Sequence, residues 1–226
     1  AGSILGAEEV PEDKQCERLM QVCQVLCGRI VEFVNITDAE NGALASQNAM
    51  RCVVALSNLS KGFSARICVQ LRPKVGEIFR SAMEVTISCL KRWPREKGVR
   101  HRVVGYLHQM VQILNETIVP YLPDAVDSLR SNGTNSKELG ETLVLINQLS
   151  NTFKETLLPM IAPLFLPLRL QVHENIRAGF SQSASSDEFT RESHELERNW
   201  IQTVNTFALT SLLSPLLAAN ADARDL

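Results

Sequence analysis

The sequence predicts an all-α fold, a HEAT-repeat α-solenoid in which antiparallel helix pairs form a superhelical array. Aromatic residues make up 5% of the 226 residues and glycines number 11, too few of either for the many hairpins of a sandwich or barrel. Apolar residues recur at helical spacing along nearly the whole chain. Glu116-Thr117-Ile118-Val119-Pro120 also returns as Glu155-Thr156-Leu157-Leu158-Pro159, an offset of 39 residues that pairs Leu107 with Ile146, Gln109 with Gln148 and Met110 with Leu149. A period near 40 residues built from two helices is the signature of HEAT-type repeats.

Each element follows from its apolar stripe. Leu19, Val22, Cys23, Leu26, Ile30 and Phe33 mark the first helix, and Ala49, Val53 and Leu56 a second that ends near Gly62. Val75, Ile78, Phe79, Ala82, Met83, Thr86 and Leu90 mark a third, which starts through Pro73, where a missing N–H costs nothing. Val103, Leu107, Met110, Val111, Leu114 and Ile118 make the fourth. A short fifth begins at Pro123 and runs to the polar turn at 131–135. Ser136 is expected to cap a sixth over 137–154, with Leu139, Leu143, Ile146, Leu149 and Phe153 on one face. The seventh spans 157–178, and an eighth carries Leu196, Trp200, Val204 and Phe207.

Eight helices in about four to five pairs therefore fill residues 14–217, with a longer link at 64–72 and a polar link at 181–187. Residues 1–13 read as a disordered or border segment and 218–226 as a frayed end. Repeats bury their stripes only against neighbours, so the first helix (15–34) and the last (188–213) are expected to be the least settled.

Composition excludes several classes. With 45% hydrophobic and 21% charged residues, the chain is neither disordered nor collagen-like. No run of about 18 apolar residues occurs and no signal-peptide pattern opens the chain, so it is expected to be soluble. The six cysteines lie in the first 89 residues without a Cys-x-x-Cys pair, far from His101, His108, His173 and His194, which argues against a structural zinc site. Cys16, Cys23 and Cys27 share a stripe with Leu19, Leu26 and Ile30 and read as small hydrophobes in a reducing compartment. There is no Gly-x-Ser-x-Gly elbow, glycine-rich phosphate loop or His-Glu-x-x-His, so catalysis is not expected, and no cofactor is called for. Glu192, Glu195 and Glu197, with His194 among them, read as a solvated face, while Asp187 and Glu188 suit the positive end of the last helix.

The net charge of −2 conceals one local feature. Lys91, Arg92, Arg95, Lys97, Arg100 and Arg102 stand against the single acid Glu96, giving +5 in twelve residues and leaving −7 for the rest. The cluster covers the end of one helix, a turn marked by Pro94 and Gly98, and the start of the next, with Trp93 as its one aromatic. These six residues are the candidate nucleic-acid-binding set: A-form RNA offers phosphates and 2′-hydroxyls instead of readable bases in its deep groove, so Lys and Arg suffice for recognition by shape. The competing reading is a solvated link between helices, with Lys91 and Arg92 complementing the helix dipole.

The blocks Gly105-Tyr106-Leu107-His108-Gln109-Met110-Val111, Ile118-Val119-Pro120-Tyr121-Leu122-Pro123, Leu145-Ile146-Asn147-Gln148-Leu149 with Phe153-Lys154, and Leu158-Pro159 with Phe165-Leu166-Pro167-Leu168 occur in this order. Together with Leu56-Ser57-Asn58-Leu59-Ser60-Lys61-Gly62-Phe63, they resemble the central-to-C-terminal part of the exportin-t family, tRNA export receptors of the importin-β (karyopherin) superfamily. The resemblance covers residues of about 50 to 210. It implies a superhelical HEAT array that binds tRNA together with Ran in its GTP form, passes nuclear pores by contacts with pore proteins, and shuttles between nucleus and cytoplasm, releasing cargo on GTP hydrolysis. It also implies that most Ran contacts lie in N-terminal repeats outside this segment, which would contribute to the C-terminal arch. The resemblance carries no tRNA contact onto residues 91–102. The alternative is a HEAT scaffold that binds protein partners without RNA.

Overall fold

The computed structural model describes residues 11–37, 39–64, 72–132, 135–182 and 187–220. The described residues form nine α-helices and two short 3-10 helices, with no strand among them. The helices are α1 (Glu12–Val34), α2 (Ala39–Ser64), α3 (Arg72–Arg92), α4 (Lys97–Leu114), α5 (Leu122–Asn132), α6 (Ser136–Phe153), α7 (Leu158–Gln182), α8 (Asp187–Leu209) and α9 (Leu213–Ala219). The 3-10 helices, Asn115–Tyr121 and Lys154–Leu157, follow α4 and α6. The fold is all-α, in the helix-pair class to which HEAT solenoids belong. The chain divides into two compact units, up to Tyr121 and from Leu122 onwards.

In the first unit α1 pairs with α2 and α3 with α4, while α1 also lies against α3 and α2 against α4. This is the two-layer plan of stacked helix hairpins, in which each apolar stripe is buried by the next pair. Leu19, Ile30, Ala49, Leu56, Val75, Phe79, Met83, Val103 and Leu107 form the core, each fully buried. Pro73 sits in the first turn of α3, as its sequence position predicts. Cys23 and Cys89 are buried among these side chains and Cys27 partly so. Burial pushes the Cys23 and Cys89 thiols up to about 12 and the Cys27 thiol to about 11. They are packing groups, held protonated by their apolar surroundings.

In the second unit α5 lies against α6 and α7, α6 against α8, α7 against α8, and α9 against α7 and α8. Phe165 anchors the α7–α8 contact, with ring centroids 6.3 Å from Trp200 and 6.1 Å from Phe207. Gly179 of α7 receives the Ser193 side chain of α8, so a Cβ at this position would collide with it. Pro163 and Pro167 lie inside α7. Pro163 is exposed and Pro167 partly so, and each removes one N–H from the hydrogen-bond ladder of the helix. His194, Glu195 and Glu197 are exposed and Glu192 partly so; the His194–Glu197 pair at 3.7 Å is a surface contact of little consequence.

The 39-residue repeat has a structural counterpart. The bounds of α4 and α6 differ by that offset at both ends, and each helix ends at a residue with positive φ: Asn115 at φ 49°, ψ −134°, and Lys154 at φ 47°, ψ −128°. A 3-10 turn follows each. One side chain is an amide and the other an ammonium, so the strained conformation belongs to the corner and not to a particular residue chemistry.

Three expectations are corrected. The cap of α6 is Asn135, whose Oδ1 accepts from the Glu138 N–H at 2.9 Å, and Ser136 is already helical. The eighth predicted helix stops at Leu209, and α9 follows as a separate helix, making nine among the described residues instead of eight. Ser211 (φ 61°) turns the chain through 100°, with the Leu212 N–H bonding Phe207 O at 2.8 Å and the Ser211 N–H bonding Ala208 O at 3.2 Å. That is a Schellman closure, sealed by Phe207 and Leu212, both fully buried. At the N-terminal side, α1 begins at Glu12, two residues inside the segment read as a border. Residues 1–10, most of the 64–72 link, 133–134 of the polar turn, 183–186 of the polar link and 221–226 lie outside the described residues.

Candidate nucleic-acid interface

The basic segment is the hairpin turn between α3 and α4 in the first unit. Its shape is local: the Trp93 N–H still bonds Cys89 O at 2.9 Å, then Pro94 stops α3 and the Glu96 N–H closes on Trp93 O at 3.2 Å. The Arg100 N–H bonds Glu96 O at 3.1 Å as α4 begins. Lys91 and Arg92 lie in the last turn of α3, where cations face the negative end of the helix dipole. Lys97 lies in the first turn of α4, which contains no acid, so its charge adds to the positive end of that helix.

The six candidates are not equivalent. Lys91, Arg92, Arg95, Lys97 and Arg102 are exposed. Arg100 is only 3% exposed, and its Nη1 donates to the Pro94 carbonyl at 3.4 Å. It braces the turn from inside and is not a surface cation. Arg92 also has structural work: its Nε donates to Val34 O at 3.2 Å and its Nη2 to Ile36 O at 2.9 Å, closing the C-terminal end of α1. Its guanidinium lies 6.0 Å from the Trp93 ring centroid. The turn thus presents Lys91, Arg95, Lys97 and Arg102 outward, with Arg92 shared between fold and surface.

Sequence reasoning missed a neighbour of this turn. Where α2 lies against α4, a groove of about 310 Å³ is lined by Val54, Ser57, Asn58 and Lys61 from α2 and by His101, Arg102, Gly105, His108 and Gln109 from α4. No carboxylate is among the lining residues. Lys61 is in the last turn of α2, forty-one residues before Arg102 in sequence, and the α2–α4 register alone brings the two together. His101 and His108 share this wall, as their seven-residue spacing on one helix allows. Among the described residues no group of three or more His, Cys, Asp or Glu side chains is placed to hold a metal ion.

Comparison with known proteins is consistent along the chain. A family model described as Exportin-T matches residues 1–222. The chain is 31% identical over 224 residues to Exportin-T of Oryza sativa subsp. japonica, covering 96% of this chain and 22% of the relative. It is 29% identical over 227 residues to Exportin-T of Arabidopsis thaliana (98% and 23%) and 25% identical over 230 residues to Exportin-T of Homo sapiens (98% and 23%). The chain therefore spans less than a quarter of the length of these curated relatives.

Proposed function

The chain belongs to the Exportin-T family of nuclear export receptors, and on that premise we propose that it is a segment of a receptor that binds tRNA cooperatively with Ran-GTP and carries it through nuclear pores to the cytoplasm. In this reading the α3–α4 turn holds cargo by its phosphates. The observation that carries it is the concentration of exposed cations, Lys91, Arg95, Lys97 and Arg102 beside Arg92, on one turn that includes the positive end of α4, in a chain of net charge −2. Several phosphate contacts on one surface give binding that depends on shape and spacing, steeply weakened by salt. The sole aromatic there, Trp93, is half-buried, so the turn offers phosphate contacts far more than stacking on splayed bases. No catalytic constellation is needed for such a role: loading and release follow the partner GTPase.

The test uses Arg95 and Lys97, two exposed cations that neither close the end of α1 nor brace the turn from inside. Arg95→Glu with Lys97→Glu is expected to weaken tRNA binding and to lower the slope of log affinity against log salt by roughly 1.4 to 1.8, about 0.7–0.9 for each phosphate no longer neutralised. An unchanged slope would remove the turn from the interface. Arg100 is left intact, because reversing a buried guanidinium would test folding and not binding. In a receptor of the relatives' full length that contains this chain, tRNA should be captured only when Ran-GTP is present. Stable protein complexes without RNA would favour the scaffold reading.

A further inference from the structure

We propose that the groove between α2 and α4 is a second phosphate-binding subsite for the RNA strand held by the α3–α4 turn, with Lys61 as its anchoring cation. The inference rests on the RNA reading of that turn. Arg102 belongs to both places, since it is exposed at the turn and lines the groove. Arg102 thus brings a cation of the basic segment into the groove, with Lys61 supplying positive charge from the opposite helix.

The rest of the lining fits a phosphodiester. Ser57, Asn58, His101, His108 and Gln109 offer hydroxyl, amide and imidazole groups suited to phosphate oxygens and 2′-hydroxyls. Among the described residues that line the groove there is no acid to repel an anion. Its volume of about 310 Å³ lies at the lower end of the small-ligand range of about 300–1,000 Å³, enough for one backbone unit and not for a folded domain. Gly105 keeps it open: a Cβ built there meets nothing within 4 Å.

Two variants test this independently of the turn. Lys61→Glu removes the anchor at an exposed position. Gly105→Leu fills the groove while improving helix propensity, so a lowered thermal midpoint is not expected. With an unmodified tRNA transcript titrated between about 50 and about 200 mM salt, Lys61→Glu should lower the slope by about 0.7–0.9 and weaken binding roughly five- to tenfold at the lower salt. Gly105→Leu should weaken binding in the same direction with the midpoint kept. If Arg95→Glu with Lys97→Glu lowers the slope while both groove variants bind as the parent does, the subsite is refuted and the turn reading stands. If none of the variants changes the slope, both fall. If Lys61→Glu abolishes binding of a polyglutamate probe and leaves tRNA untouched, the groove is a site for acidic protein segments and this inference is wrong.

Discussion

In the first unit the second helices of two pairs, α2 and α4, leave a groove walled by Lys61, His101, Arg102 and His108. In the second unit the corresponding helices, α6 and α8, meet closely: the Asn199 amide lies 3.0 Å from where a Cβ on Gly140 would sit. The Thr203 hydroxyl, one turn along α8 from Asn199, turns onto its own helix and donates to Asn199 O at 2.8 Å. Both units follow the same plan of helix pairs with 39-residue corners, yet one seam opens and the other closes. Side-chain size and charge at the seam, not the repeat itself, decide which surface remains available to a partner.

The largest effect expected from this contrast is at Gly179. Its neighbour is the short, inflexible side chain of Ser193, whereas Gly140 faces the movable end of Asn199. Gly179→Ala should destabilise by about 2 kcal/mol, lowering the melting midpoint by several degrees, while Gly140→Ala should stay within about 0.5 kcal/mol as better helix propensity offsets the tighter contact. Equal losses by calorimetry would show that the two glycines do the same job.

A smaller effect separates the units chemically. All six cysteines lie in the first 89 residues, so thiol titration acts on the first unit alone. Cys23 and Cys89 have folded values near 12 against an ordinary 9.0. Because an unfolded thiol ionises near pH 9 and the buried one does not, their stabilisation is complete below pH 9 and is lost as pH rises towards 12, about 1 kcal/mol per thiol by about pH 10. Denaturant midpoints should fall over that range, and Cys23→Ala should flatten the fall. A curve unaltered by this substitution would mean that the thiol is not shielded.

The smallest effect concerns the feature the units share. Asn115→Gly and Lys154→Gly each relieve a positive φ at the cost of a more flexible unfolded chain, and should each stabilise by about 0.5–1 kcal/mol. A gain at one corner and a loss at the other would end their equivalence.

Much of this architecture is legible in the sequence because it is encoded locally. The apolar stripes name the core helices, and the Glu-Thr-x-x-Pro recurrence marks both corners, since helix periodicity and a proline after a helix act over a few residues. The misses have equally specific causes. Asn135 and Ser136 are both good caps, and only the backbone shows which side chain reaches the Glu138 N–H. At Ser211 the chain turns without a glycine or proline, and the burial of Phe207 and Leu212 that rewards the turn comes as α9 packs on α7 and α8.

The basic segment shows where the division falls. Its existence, a +5 run in a chain of net charge −2, is a property of residue order and can be counted. So can the helical class and the repeat length, because both rest on short-range spacing. Packing then sorted the six cations: Arg100 went inside against Pro94 O, Arg92 was committed to the end of α1, and Arg102 was set across a groove from Lys61. These assignments depend on the register of helices separated by tens of residues, and no local pattern specifies that register. It is selected by the burial of apolar faces from several helices at once.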